Sequence, residues 1–209
     1  MADRIHKPTK FPSRVFEAFH GGDDPAQLSR VAHETANALL SRVRENPDPE
    51  IVERLVGYTD EHGIDAVAEL WSRASARSLP GALWRLYLVR LLIRQDPTGT
   101  SFLYQRGTEV STTIDQVVAG APNPTSPDDI VTLADAILRG IFAGDFGVAL
   151  DRAGAFCRVM AAGATSLADD TDATAPERAT ELTTRALRFA ELADEFSACA
   201  RLWRTDSLD

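Results

Sequence analysis

The sequence predicts an all-α protein, an irregular helical bundle or short α-solenoid of seven to nine helices with no sheet. Three observations carry that expectation. The 209 residues include 31 Ala and 20 Arg but only two Lys, and Ala and Arg are strong helix formers. Helix-opening pairs recur along the chain, at Asp24-Pro25, Asp48-Pro49 and Ser126-Pro127, each joining a good N-cap to a proline at the first helical position. No segment alternates apolar and polar residues with β-branched enrichment, which is the mark of a strand.

Each helix then follows from its own stripe. After Pro25, residues Leu28, Val31, Ala32, Ala36, Leu39, Leu40 and Val43 keep a helical period to about Arg44. Ile51, Val52, Leu55 and Val56 form the next stripe, which Gly63 stops, and Ile64 to Ala76 is a third helix with Val67, Leu70, Trp71 and Ala74 inward. Ala82 to Gln95 is apolar at ten of fourteen positions and on every side, the pattern of a buried central helix. Leu88 is therefore expected in the core. The spacing of Leu103, Gly107, Val110, Ile114 and Val117 predicts one helix from Ser101 to Ala119. Ile130, Leu133, Ala134, Ile137 and Ile141 mark the next helix. Gly144-Asp145 turns the chain into another, from Phe146 to about Leu167, and Pro176 opens the last, reaching about Arg204. The helix–Gly-Asp-Phe–helix layout is similar to one tetratricopeptide repeat. No second copy lies 34 residues away, so a tight turn between antiparallel helices is the simpler reading.

These elements divide the chain into four parts: a basic N-terminal arm (1–22), a helical core (23–168), an acidic linker (169–175) and a heptad-patterned last helix (176–204). The arm carries a formal +2 while the remainder carries −11, within a net charge of −9. That balance excludes a broadly basic nucleic-acid binder and leaves the arm, with Arg4, Lys7, Lys10 and Arg14, as a candidate contact for an acidic partner or nucleic acid. Two cysteines without a Cys-x-x-Cys exclude a disulfide scaffold. No signal-peptide core and no membrane-length apolar run occur, so a cytoplasmic location without membrane contact is expected.

The last helix has the sharpest pattern. Leu182, Phe189, Phe196 and Trp203 recur every seven residues, as do Ala179, Ala186, Ala193 and Ala200. Such a heptad seam packs either on the chain's own bundle or on a protein partner, a second copy included. The linker before it favours a helix free to leave the body. A second candidate is the pair Arg90 and Arg94, one turn apart, read either as an anion-binding site or as partners of the chain's acids. No catalytic motif, cofactor motif or metal spacing appears. The four histidines form no ligand pattern, and Cys157 sits in an apolar run as a structural thiol would.

The runs His62–Trp71, Leu79–Leu88 and Ala136–Leu150 resemble an uncharacterised all-helical family of high-GC Gram-positive bacteria. Some of its members are labelled as a β subunit of DNA-directed RNA polymerase. The resemblance spans about residues 25–170. It implies an all-helical fold, no catalytic residues and a transcription-related partner. The chain is far shorter than that polymerase subunit and lacks a metal-binding Asp cluster of polymerase type. The function expected is a non-enzymatic interaction or regulatory protein. Two alternatives stand beside it: a small-ligand binder or enzyme with an Arg-lined site, and a polymerase- or nucleic-acid-associated factor using the arm.

Overall fold

The computed structural model describes residues 25–45, 71–121 and 125–209. These residues form seven helices: α1 (Pro25–Glu45), α2 (Leu79–Gln95), α3 (Pro97–Val110), α4 (Asp115–Ala119), α5 (Pro127–Ala143), α6 (Phe146–Thr171) and α7 (Pro176–Arg204). No strand occurs among them. The protein is all-α, a helical bundle. The expected helix around residues 49–63 lies outside the described residues, as does the arm.

The helix starts are built by the residues that announce them. Ser126 accepts from the Asp129 backbone while Asp129 reaches back to the Ser126 amide, a complete capping box in front of α5. Asp96 closes α2 and caps α3, its side chain accepting from the Gly99 amide at 2.8 Å. Asp145 caps α6 through the Val148 amide. Each of these caps satisfies a backbone donor that a helix start leaves without an intrahelical acceptor.

Several expected boundaries move. The helix predicted to Ala76 ends at Ser72, followed by a turn in which the Ala74 amide donates to the Trp71 carbonyl. The helix predicted over Ser101–Ala119 stops at Val110. At that point Ser111, Thr113 and Asp115 bond one another's side chains and backbone, an alternative to the helical ladder. The chain restarts as α4, and Val110, Ile114 and Val117 face solvent rather than the core. The helix starting at Phe146 runs to Thr171, past the expected end at about Leu167. Asp169 and Asp170 of the expected linker are therefore helical, and only residues 172–175 turn. Arg106 holds this extra length by bonding Ser166 at 3.0 Å and Asp170 at 2.5 Å.

The spine is the antiparallel pair α6 and α7. Trp203 meets Phe146 edge-on at 5.0 Å, Arg158 reaches Ser197 at 3.1 Å, and Arg204 pairs with Asp151. α6 is the helix buried nearly all round, because α3, α4, α5 and α7 all pack on it. Its small residues Ala149, Ala153, Gly154, Gly163 and Ala164 let those neighbours approach closely. α2 is correspondingly not the fully enclosed centre that its composition predicts. Leu83, Leu86, Val89 and Ile93 are buried, while Leu88 and Leu91 remain 37% and 36% exposed. α1 packs on α2 and α5 through Ala32, Ala36 and Leu40, and Thr35 accepts a 3.2 Å bond from the Trp71 indole.

Candidate functional site

The heptad stripe docks within the chain. Leu182, Phe189 and Phe196 are buried, and Trp203 packs against the core from its edge. Ala179, Ala186, Ala193 and Ala200 are buried beside them. Of the residues expected to bind a partner, Leu182, Phe189 and Phe196 thus pack in the chain's own core, with Trp203 at its edge, and Phe189 also lines the groove described below. The turn at residues 172–175 folds α7 straight back along α6 instead of releasing it. Arg4, Lys7, Lys10 and Arg14 lie outside the described residues.

Arg90 and Arg94 do share a face, and a carboxylate of the same chain meets both. Asp135 of α5 accepts from Arg90 Nε at 2.9 Å and lies 3.5 Å from Arg94 Nη2. Arg90 is only 4% exposed, so its charge needs that carboxylate. The pairing with the chain's acids that the composition suggested is the arrangement present. Arg85 likewise pairs with Glu195 at 2.5 Å and Arg158 with Asp115 at 2.8 Å.

The thiols are equally occupied. Burial pushes Cys157 far above the ordinary thiol range, against the opposing pull of Arg158. Cys199 is pushed up to about 11, chiefly by burial, and its Sγ lies 3.4 Å from the Ala76 carbonyl. Neither holds the thiolate that nucleophilic chemistry needs near neutral pH. Among the described residues no three His, Cys, Asp or Glu side chains gather as a metal site, and no helix is long and apolar enough to cross a membrane.

Among the described residues, a surface groove lies where α2 and α7 part. Near the start of α2 the two helices are tied together: the Leu79 amide donates to the Asp209 carbonyl at 2.6 Å, and Arg85 holds Glu195. Further along, between Leu88–Gln95 and Thr180–Leu192, a groove of about 700 Å³ separates them. Val89 and Phe189 form its floor, and Leu88, Leu91, Leu92 and Leu192 its walls.

Two arginines of α7, Arg185 and Arg188, line the same groove. The Arg185 guanidinium lies over the Phe189 ring, 5.7 Å from its centroid. Partial burial lowers the Arg185 pKa from its ordinary value, an effect that Asp96 opposes and Arg178 reinforces. Among the described residues neither Arg185 nor Arg188 has a carboxylate within ion-pair distance. The acid in the lining, Glu181, lies 3.0 Å from Arg178. Chemically the groove offers apolar surface flanked by two cations, with Asp96 acting on Arg185 only from beyond ion-pair distance.

Sequence reasoning missed this site. Its halves stand nearly a hundred residues apart, and Arg185 and Arg188 read as ordinary solvated positions of α7. The available signal was the excess of apolar residues on α2. No family model, curated protein or solved structure matches the chain.

Proposed function

We propose that this chain is a non-enzymatic interaction or regulatory protein that binds a partner through the α2/α7 groove. One observation carries the reading: an apolar groove bears two arginines that no carboxylate among the described residues meets at ion-pair distance, whereas five arginines elsewhere are paired across helices. Arg85, Arg90, Arg106, Arg158 and Arg204 each face a carboxylate on another helix. Apolar surface rimmed by polar groups is the usual character of a protein-binding patch. The Arg90–Arg94 site of the alternative reading has Asp135 where an external anion would sit.

The test uses the exposed wall of the groove. Leu88→Glu/Leu91→Glu places charge on surface positions and should leave the fold intact. Tagged wild type and variant are isolated from their own cells, and bound proteins are quantified by mass spectrometry. At least one protein should be depleted about tenfold with the variant, a loss of about 1.4 kcal/mol. Identical partner profiles, with helicity unchanged in both proteins, would refute the groove as the binding surface.

A further inference from the structure

The placement of the two cations indicates what enters the groove. From Thr180 to Leu192 it follows α7 for about 18 Å, roughly three helical turns. Arg185 and Arg188 stand midway along that length, three residues apart on one side. A single-headed amphiphile, such as a fatty acid, needs its cation at one end of an apolar channel. Cations along the flank of an open furrow suit a ligand with charges along its own flank. Two helices that diverge also leave a trough of the shape a third helix fills, its apolar stripe turned to the floor.

We infer that the α2/α7 groove receives an amphipathic helix of a partner protein, with its apolar stripe on Val89, Leu92, Phe189 and Leu192 and its acidic flank on Arg185 and Arg188. This deepens the interaction reading above and rests on it. The acids of the partner supply what the described residues do not give these guanidiniums. Arg suits the task because its planar fork meets a carboxylate with two parallel bonds. The charges set orientation and partner choice, and the apolar floor supplies most of the affinity. The surrounding chain is strongly acidic, so an acidic helix is steered to this side only by a local cationic patch.

The experiment is a selection on the full chain from a displayed library of helix-favouring peptides about fifteen residues long, a little over the groove's length. Leu88→Glu/Leu91→Glu serves as the counter-selection target. The best peptide is then synthesised and titrated by fluorescence anisotropy at low and high salt. The expected winners carry apolar residues at helical spacing with Asp or Glu beside the stripe. Their affinity should fall about tenfold or more for Arg185→Glu/Arg188→Glu, and a peptide with Lys in place of those acids should regain binding to that variant. Winners without an acidic bias, or indifferent to the charge reversal, would overturn the acidic-helix inference while leaving the groove as an interaction surface. No groove-dependent enrichment at all would overturn both. Dodecanoate is titrated in parallel. Saturable binding that depends on Leu91 and Arg188, in the absence of peptide binding, would overturn the inference in favour of a lipid-like ligand. Circular dichroism on each variant confirms that a loss of binding is not a loss of fold.

Discussion

Among the described residues, Gly107 and Gly163 make the tightest helix crossing, and replacing either tests the packing argument. A Cβ on residue 107 would lie 2.0 Å from the Val159 carbonyl oxygen, and one on residue 163 would lie 2.0 Å from the Leu103 carbonyl oxygen. Ordinary contact begins near 3.4 Å, so α3 and α6 must part by about 1.4 Å to admit one methyl. The obstacles are backbone oxygens held in helical hydrogen bonds, which cannot rotate aside as a side chain can. A gap of about 0.5–1 Å already forfeits a quarter to a half of each van der Waals contact at the crossing. Overpacking of this kind costs about 1–3 kcal/mol and can cost more, against about 0.8–1 kcal/mol gained by Ala over Gly in a helix. Gly107→Ala should therefore destabilise by about 2 kcal/mol and lower Tm by about 4–8 °C for a chain of this size. Gly107→Ala/Gly163→Ala should cost about 1 kcal/mol less than the two single changes together, since one parting of the helices serves both methyls. Gly140→Ala is the internal control. Its Cβ would meet only the Ala149 methyl, at 3.5 Å, so the helix-propensity gain should raise stability by about 0.5–1 kcal/mol. Urea titrations followed by circular dichroism measure the wild type and the four variants. If Gly107→Ala and Gly140→Ala shift stability in the same direction, the close-approach reasoning is wrong.

Three further changes probe other parts of the bundle. Asp135→Ala removes the carboxylate that accepts from the buried Arg90 Nε and should cost about 3–5 kcal/mol; a loss under about 1 kcal/mol in thermal melts would show that the pair is not the anchor of α2 on α5. Leu86→Asp should abolish cooperative unfolding, whereas Leu88→Asp, at a position 37% exposed, should fold with native helicity; equal damage from both would place Leu88 in the core after all. The Tyr104 hydroxyl is buried and has no hydrogen-bond partner among the described residues, so Tyr104→Phe should stabilise by about 1–2 kcal/mol, and a destabilised variant would reveal a partner. Burial, with a smaller contribution from Asp115, pushes the Tyr104 phenol up to about 12 from an ordinary 10. The folded state thus holds its proton more tightly than the unfolded chain. This share of stability is intact below about pH 10 and is lost as pH rises through about 12, and Tyr104→Phe should lack that alkaline decline in denaturant titrations.

Much of the fold was legible because helix starts and apolar stripes are local. Ser126-Pro127 and Pro176 open helices where the sequence places them, and the inward faces of α5 and α7 are the predicted ones. The break after Val110 was not legible from periodicity, since the apolar spacing continues through Ile114 and Val117. It follows instead from Ser111, Thr113 and Asp115, whose short polar side chains compete with the helical ladder. The stripe of α7 shows a related limit. A heptad specifies that a helix is covered but not by which chain, and the tight turn after Thr171 decides for α6.

The groove exposes that limit from the other side. α2 carries ten apolar residues in fourteen, more than a helix at the side of a bundle can turn inward. Composition alone assigns such a helix to the centre. α6 takes the centre instead, because its glycines and alanines admit four neighbouring helices where the bulk of α2 would hold them apart. The surplus apolar residues of α2, Leu88 and Leu91, are then left on the wall of the groove. A bulky, all-round apolar helix beside a slender Ala/Gly-rich one is therefore a sequence-level sign of an uncovered apolar face. In the acidic-helix proposal the charges beside that face, Arg185 and Arg188, are what would select the partner.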